Sequence, residues 1–226
     1  MLKDIVRYKL TYVLILLNLI AYVFSAVYSQ SLMDMDIEVL LDMGASYAPF
    51  ILIKEQWWRL GTAMFLHGGM THILMNMFSL YLVGRAVEMY LSHKSYLSIY
   101  LFAGLIGGLF SLYVHPQSVG VGASGAIFGL FGALAGFFLA NKYKIASHTK
   151  AFMKDFSIII GINLVIGLSI ESIDLSAHIA GLIIGFLGGF LLSKNPKFIV
   201  LYMALAGIVS VLMAYYLPLY YAQNFV

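Results

Sequence analysis

Apolar runs of about twenty residues, the length a helix needs to cross a bilayer, recur along this chain from end to end. They cover residues 8–28, 70–90, 96–114, 123–140, 151–170, 175–192 and 198–216. A segment crossing hydrocarbon must satisfy its own backbone hydrogen bonds, which leaves the α-helix as the form for such runs. The expected fold is all-α, a polytopic transmembrane helical bundle with seven transmembrane helices. Composition agrees: 62% of the 226 residues are hydrophobic and only 10% are charged, where a soluble domain is about a quarter charged. The first run follows Lys3, Arg7 and Lys9 and exceeds the apolar stretch of a signal peptide, so it reads as a signal anchor. No repeat, low-complexity tract or linker divides the sequence, and residues 1–226 read as a single membrane domain.

Thirteen Lys and Arg against ten Asp and Glu give a net charge of +3. The cations are scattered and form no phosphate-binding face, so nucleic acid is not an expected partner. Their placement fixes orientation, because short cytoplasmic loops carry the excess of positive charge. With the N-terminus inside, Lys3, Arg7, Lys9, Arg85, Lys94, Lys142, Lys144, Lys150, Lys154, Lys194 and Lys197 are cytoplasmic, and only Lys54 and Arg59 are external. The N-terminus is therefore expected inside and the C-terminus outside. A short cytoplasmic start, no cleavable signal and compact loops suit a bacterial plasma membrane. The absence of cysteine excludes disulfides, thiolate metal sites and a cysteine nucleophile.

One connection is long. Residues 29–69 carry Asp34, Asp36, Glu38 and Asp42, then Tyr47, Trp57 and Trp58, a mixture suited to a structured loop in the headgroup region. Small residues predict which helices meet closely. The third run has Gly104 and Gly108, the fourth Gly125, Gly129, Gly132 and Gly136, and the sixth Ala177, Gly181, Gly185 and Gly189. The fourth and sixth carry the densest stripes and are expected to pack together in the middle of the bundle.

Polar side chains inside spans are costly and are candidates for function. His72 and Asn76 lie one turn apart on one face of the second span, Ser124 begins the fourth and His178 lies near the start of the sixth. In the orientation above all three spans run inward, so at about 1.5 Å per residue the four side chains share one depth just below the outer surface. A serine hydroxyl is a poor nucleophile until a base takes its proton, and histidine is the usual base. Ser124 and His178 supply that pair. His72, Asn76 and the Ser124 amide are suitable donors for a developing oxyanion, and the start of a helix favours an anion. Singly, each has a plainer reading: Ser124 as a packing residue, and Asn76 and His178 as interhelical hydrogen-bonding groups.

Other residues carry less weight. His67, five residues before His72, is structural or polar lining, and His93, His115 and His148 fall in loops. Asp174, one turn outward of His178, either orients its ring or simply ends a loop. Glu88, near Arg85, reads as a structural polar contact. The sequence has no HExxH, no pair of membrane-embedded aspartates, no Walker loop and no dinucleotide fingerprint. Gly-Ala-Ser-Gly-Ala around Ser124 lacks the glycine spacing of the hydrolase nucleophile elbow. A metal site from His67, His72 and His178 would have no intramembrane carboxylate, so no metal or cofactor is expected.

Several segments together resemble the rhomboid intramembrane serine proteases over nearly the whole chain. They are Trp58-Arg59, His67, the run from His72 to Asn76, Gly84-Arg85 with Glu88, the run from Gly122 to Gly125, and the run from Ala177 to Gly181 with Gly185. The resemblance implies a six-helix catalytic core within residues 8–192 and one extra C-terminal helix over 198–216. It implies Ser124 as nucleophile and His178 as base in a dyad without an essential acid. His72, Asn76 and the Ser124 backbone would stabilise the oxyanion, in a water-filled cavity open to the outside. It also implies an irregular segment over 116–122, with Gly122 and Phe128 packing the site. Many members carry tyrosine where this chain has Phe128, so the stacking face is kept and a hydroxyl lost. The implied partners are the lipid bilayer and single-pass transmembrane protein substrates, cut near the outer membrane face. The alternative reading is a rhomboid-like pseudoprotease that binds membrane clients without cleaving them; intact Ser124 and His178 argue against it. A small transporter would instead call for broken helices and ionisable residues at mid-membrane.

Overall fold

The computed structural model describes residues 2–143, 154, 158, 161 and 174–225, and every element among them is helical or irregular. A short helix α1 (Leu2–Arg7) precedes the long α2 (Lys9–Ser29). Three short helices follow, α3 (Ile37–Asp42), α4 (Ala48–Leu52) and α5 (Arg59–Thr62), then α6 (Met70–Ser79) and α7 (Arg85–Tyr90). The remaining helices are α8 (His93–Val114), α9 (Ser124–Asn141), α10 (Leu175–Lys194) and α11 (Ile199–Phe225). Among the described residues, five helical segments are long and apolar enough to cross a membrane: α2, α8, α9, α10, and α11 with the short turn before it. The fifth run, 151–170, lies outside the described residues apart from 154, 158 and 161.

Two elements differ from expectation. The second run is continuous but not uniform: a π-helical turn, Leu80–Gly84, joins α6 to α7. Its extra residue leaves no trace in an apolar run, and such turns often accompany functional sites. The last helix continues past 216 to Phe225, through Pro218. Proline costs a helix one hydrogen bond, but Leu217 and Tyr221 on either side are buried against α8 and α4 residues such as Leu109 and Ile51, and that burial carries the helix on.

The small-residue stripes do what their spacing requires. A Cβ added to Gly181, Gly185 or Gly189 would fall on the backbone of Gly125, Gly129 or Ala133 respectively, so α9 and α10 meet backbone to backbone. Contacts advance in step along both chains, which makes the pair parallel. Helix α8 packs across them in the opposite sense, with Ala103 at Gly129 and Gly107 at Ala177. Apolar side chains of α2, such as Leu16, Phe24 and Val27, and of α11, such as Val200 and Leu212, remain exposed, as lipid-facing surfaces do.

At the other end of the bundle, Tyr8 before α2 makes no side-chain cap. The buried Glu88 carboxylate does that work from α7. It accepts from the Leu10 amide at 3.0 Å, the Thr11 amide at 3.1 Å and the Thr11 hydroxyl at 2.8 Å, and His93 Nε2 lies 3.2 Å away. Arg85 pairs with Asp4 at 3.1 Å.

The long connection is folded, and Arg59 organises it. Its guanidinium is buried, donating to the carbonyls of Leu41 at 2.6 Å and Ala45 at 3.1 Å, while Nε donates to Gln56 at 2.6 Å. Phe50 and Trp58 flank it, each 4.8 Å from the charged carbon to the ring centre. Arg59→Met is therefore expected to lower unfolding stability by about 3 kcal/mol, since it strands carbonyls that a charged donor satisfies. Arg59→Lys should recover only part, lacking the planar fork. Thermal unfolding of the purified protein reads both.

Candidate active site

Ser124 is the first residue of α9, and the nine residues before it, 115–123, are irregular. This segment is held from the side by the long connection. Ser46 and Gly120 exchange backbone hydrogen bonds of 2.9 and 2.8 Å, and the Gly122 amide donates to the Ala63 carbonyl at 2.9 Å. Gly122 has φ of +124°, a conformation that side chains resist. A Cβ there would also lie 2.8 Å from His72 Nε2 and 3.8 Å from Ser124 Oγ. Glycine at 122 thus lets the His72 imidazole lie directly against the chain that leads into Ser124.

His178 lies in the first turn of α10. The parallel seam brings its turn level with the start of α9, because Gly125 faces Ala177 and Gly181 packs on the Gly125 carbonyl. Phe128, one turn beyond Ser124, stacks on the His178 ring with centroids 4.2 Å apart and planes 9° from parallel. Ser124 Oγ and His178 make no hydrogen bond to each other in this state; such bonds commonly tighten only with substrate bound.

Asp174 does not reach the imidazole. Its carboxylate caps α10, accepting from the Ala177 amide at 3.1 Å and from the Ser176 hydroxyl. The buried Nδ1 of His178 has no hydrogen-bond partner among the described residues. The ring is held by stacking and not by an acid.

Asn76 is buried, and its amide donates to the His72 carbonyl one turn earlier at 3.0 Å. An amide nitrogen carries two hydrogens, so a second donor is left. His72 is half-buried between two neighbours: Gly122 on one side and His67 on the other, where the rings meet edge to face at 4.9 Å and 68°. His67 has no exposed surface. Burial and the neighbouring His72 push its pKa down to about 3, so it is neutral at physiological pH. The Phe65 backbone lies near its ring without meeting hydrogen-bond geometry, and neither ring nitrogen has a partner among the described residues.

The site therefore draws on α6, α9, α10 and two irregular segments. The contribution of Ser46 and Ala63 was not apparent from sequence, since backbone pairing carries no side-chain signal; His67, read there as structural or polar lining, packs its ring on His72. His93 and His115 are exposed, and His148 lies outside the described residues. Among the described residues, no three His, Asp or Glu side chains gather as a metal ion would require.

Comparison with known proteins yields one family. Residues 54–195 match the model described as the Rhomboid domain. RHOMBOID-like protein 6, mitochondrial, of Arabidopsis thaliana is 41% identical over 140 residues, 62% of this chain and 45% of that protein. RHOMBOID-like protein 7 of the same plant is 35% identical over 175 residues, 77% of this chain and 55% of its own. Rhomboid protease GluP of Bacillus subtilis (strain 168) is 40% identical over 153 residues, 66% of this chain and 28% of GluP. The chain spans about half the length of the two plant relatives and just over a quarter of GluP.

Proposed function

The chain belongs to the rhomboid family, and on that premise we propose that it is an intramembrane serine endopeptidase with a Ser124–His178 dyad. The observation that carries this reading is the backbone seam of α9 and α10, which sets the first turn of one helix beside the first turn of the other. Ser124 Oγ attacks the scissile carbonyl as His178 takes its proton. The resulting oxyanion is met by the Ser124 amide, His72 and Asn76. Collapse passes the proton from His178 to the leaving amine, and the acyl-enzyme is released when His178 activates a water. Gly122 and Phe128 shape the site, the first by admitting His72 and the second by holding the His178 ring.

Substrates are single-pass transmembrane proteins, cut near the outer face where a locally unwound helix exposes its backbone. The reading includes seven crossings in one domain over residues 1–226, with the N-terminus cytoplasmic as the Lys and Arg distribution requires.

The test is a serine-reactive phosphonate applied to the protein in liposomes, with the adduct located by mass spectrometry. Labelling at Ser124 that is lost in His178→Ala supports the dyad; a folded protein that takes no label overturns it. Asp174 provides a second check. Asp174→Ala should cost about 1 kcal/mol of stability as a lost helix cap and leave the labelling rate within a few-fold, as should Asp174→Asn. A thousandfold loss in both variants would make the acid a third member of the catalytic set.

A further inference from the structure

We infer that His67 is a positioning residue for His72, holding that imidazole against Gly122 so that its donor edge faces the Ser124 end of the site. The inference rests on the proposed serine protease reading and adds a residue to it.

Three observations carry it. First, the two rings are in direct edge-to-face contact, and the atoms of His72 nearest Gly122 are Nε2 and Cε1. The His72 ring is thus confined between His67 and the segment entering Ser124. Second, the backbone that follows His67 is anchored. The Gly68 carbonyl accepts from the Met35 amide at 3.0 Å, and the Met70 amide donates to the Met33 carbonyl at 2.8 Å. These ties fix the main chain beside His67, and full burial confines its ring there. Third, an imidazole is a poor choice for a site with no exposed surface and no hydrogen-bond partner among the described residues. A phenyl ring would fill similar space without burying two polar atoms. What the imidazole adds is a polar edge beside His72.

His67, held at a pKa of about 3 by burial and by His72, is neutral near pH 7. It neither supplies charge to the oxyanion nor takes a proton from Ser124, and its effect passes through His72 alone. Misplacing a donor costs less than removing it, so the effect is smaller than the roughly hundredfold to thousandfold loss on removing an oxyanion donor.

The experiment uses the full chain in liposomes and the phosphonate probe, comparing wild type, His67→Phe, His67→Gln, His72→Ala and the double variant His67→Phe/His72→Ala. Thermal unfolding of each establishes that it is folded. The expected result is that His67→Phe labels Ser124 about tenfold more slowly with its unfolding midpoint kept, and that His67→Gln, which restores a polar edge, recovers most of the rate. With a transmembrane substrate, His67→Phe should lower kcat and leave KM unchanged, since the contact matters in the transition state. In the His72→Ala background, His67→Phe should change the rate less than twofold, because residues acting through one another are not additive. A wild-type rate in His67→Phe overturns the inference, and so does a full further tenfold loss on top of His72→Ala, or an equal loss in the Phe and Gln variants. Absence of label in the wild type is a different failure, that of the protease reading itself.

Discussion

Ser124→Ala and His178→Ala are each expected to reduce cleavage of a transmembrane reporter by about 10⁴-fold or more, and the double variant is expected to be no worse than either. A nucleophile and its base act as one unit, so removing either disables the covalent route. What survives is the modest acceleration supplied by the oxyanion donors and by binding. The geometry makes the loss specific. Phe128 stacks on His178, so alanine at 178 removes the ring without touching the Gly181 and Gly185 contacts that join the helices. Both variants should keep their unfolding midpoints. Rates from reconstituted enzyme with a fluorescent transmembrane reporter, measured beside those midpoints, decide the matter. Additive losses, or cleavage retained in both single variants, would remove the dyad from the mechanism.

The second large effect is structural. Gly185→Val is expected to destabilise the protein by at least about 3 kcal/mol, at or above the upper end of what overpacking normally costs. In an ordinary core an extra methyl pushes aside a side chain. Here it meets the backbone of Gly129, and a helix backbone has no rotamer to change. The helices must separate, which would also draw His178 away from Phe128 and Ser124. Gly207→Val is the control. That glycine lies in α11 with open space around its Cα, and the substitution should shift stability by no more than about 0.5 kcal/mol. Denaturation of both variants in the same detergent tests the contrast. Equal midpoints would mean that the seam yields where the packing says it cannot.

These two cases also mark what a sequence can disclose about such a molecule. The α9–α10 seam was legible because close backbone approach has one chemical requirement, a small residue every fourth position, and few other pressures produce that stripe. The candidate partners of Ser124 were legible for a similar reason: few polar residues are tolerated in spans, so those present are conspicuous. The π-helical turn was not legible, since the residues 80–84 look like any apolar stretch. Arg59 gave no hint of burial, because the carbonyls that hold it, on Leu41 and Ala45, advertise nothing in their side chains. The bridge between Ser46 and Gly120 is made of backbone alone. The continuation of the last helix past 216 was not legible, since the local cost of Pro218 is smaller than the burial gained around it.

The capping of α2 by Glu88 bears on the order in which the molecule is made. The Leu10 and Thr11 amides belong to the first turn of the first long helix, where donors have no partner within the helix. The carboxylate that satisfies them belongs to a residue 77 or 78 positions later. Until Glu88 has been made, those leading amides have no side-chain partner and are left to water. Only when α7 delivers Glu88 are those amides taken up by a side chain and the start of α2 tied to it. The start of α2 is thus completed by α7, and the earlier helix waits for the later.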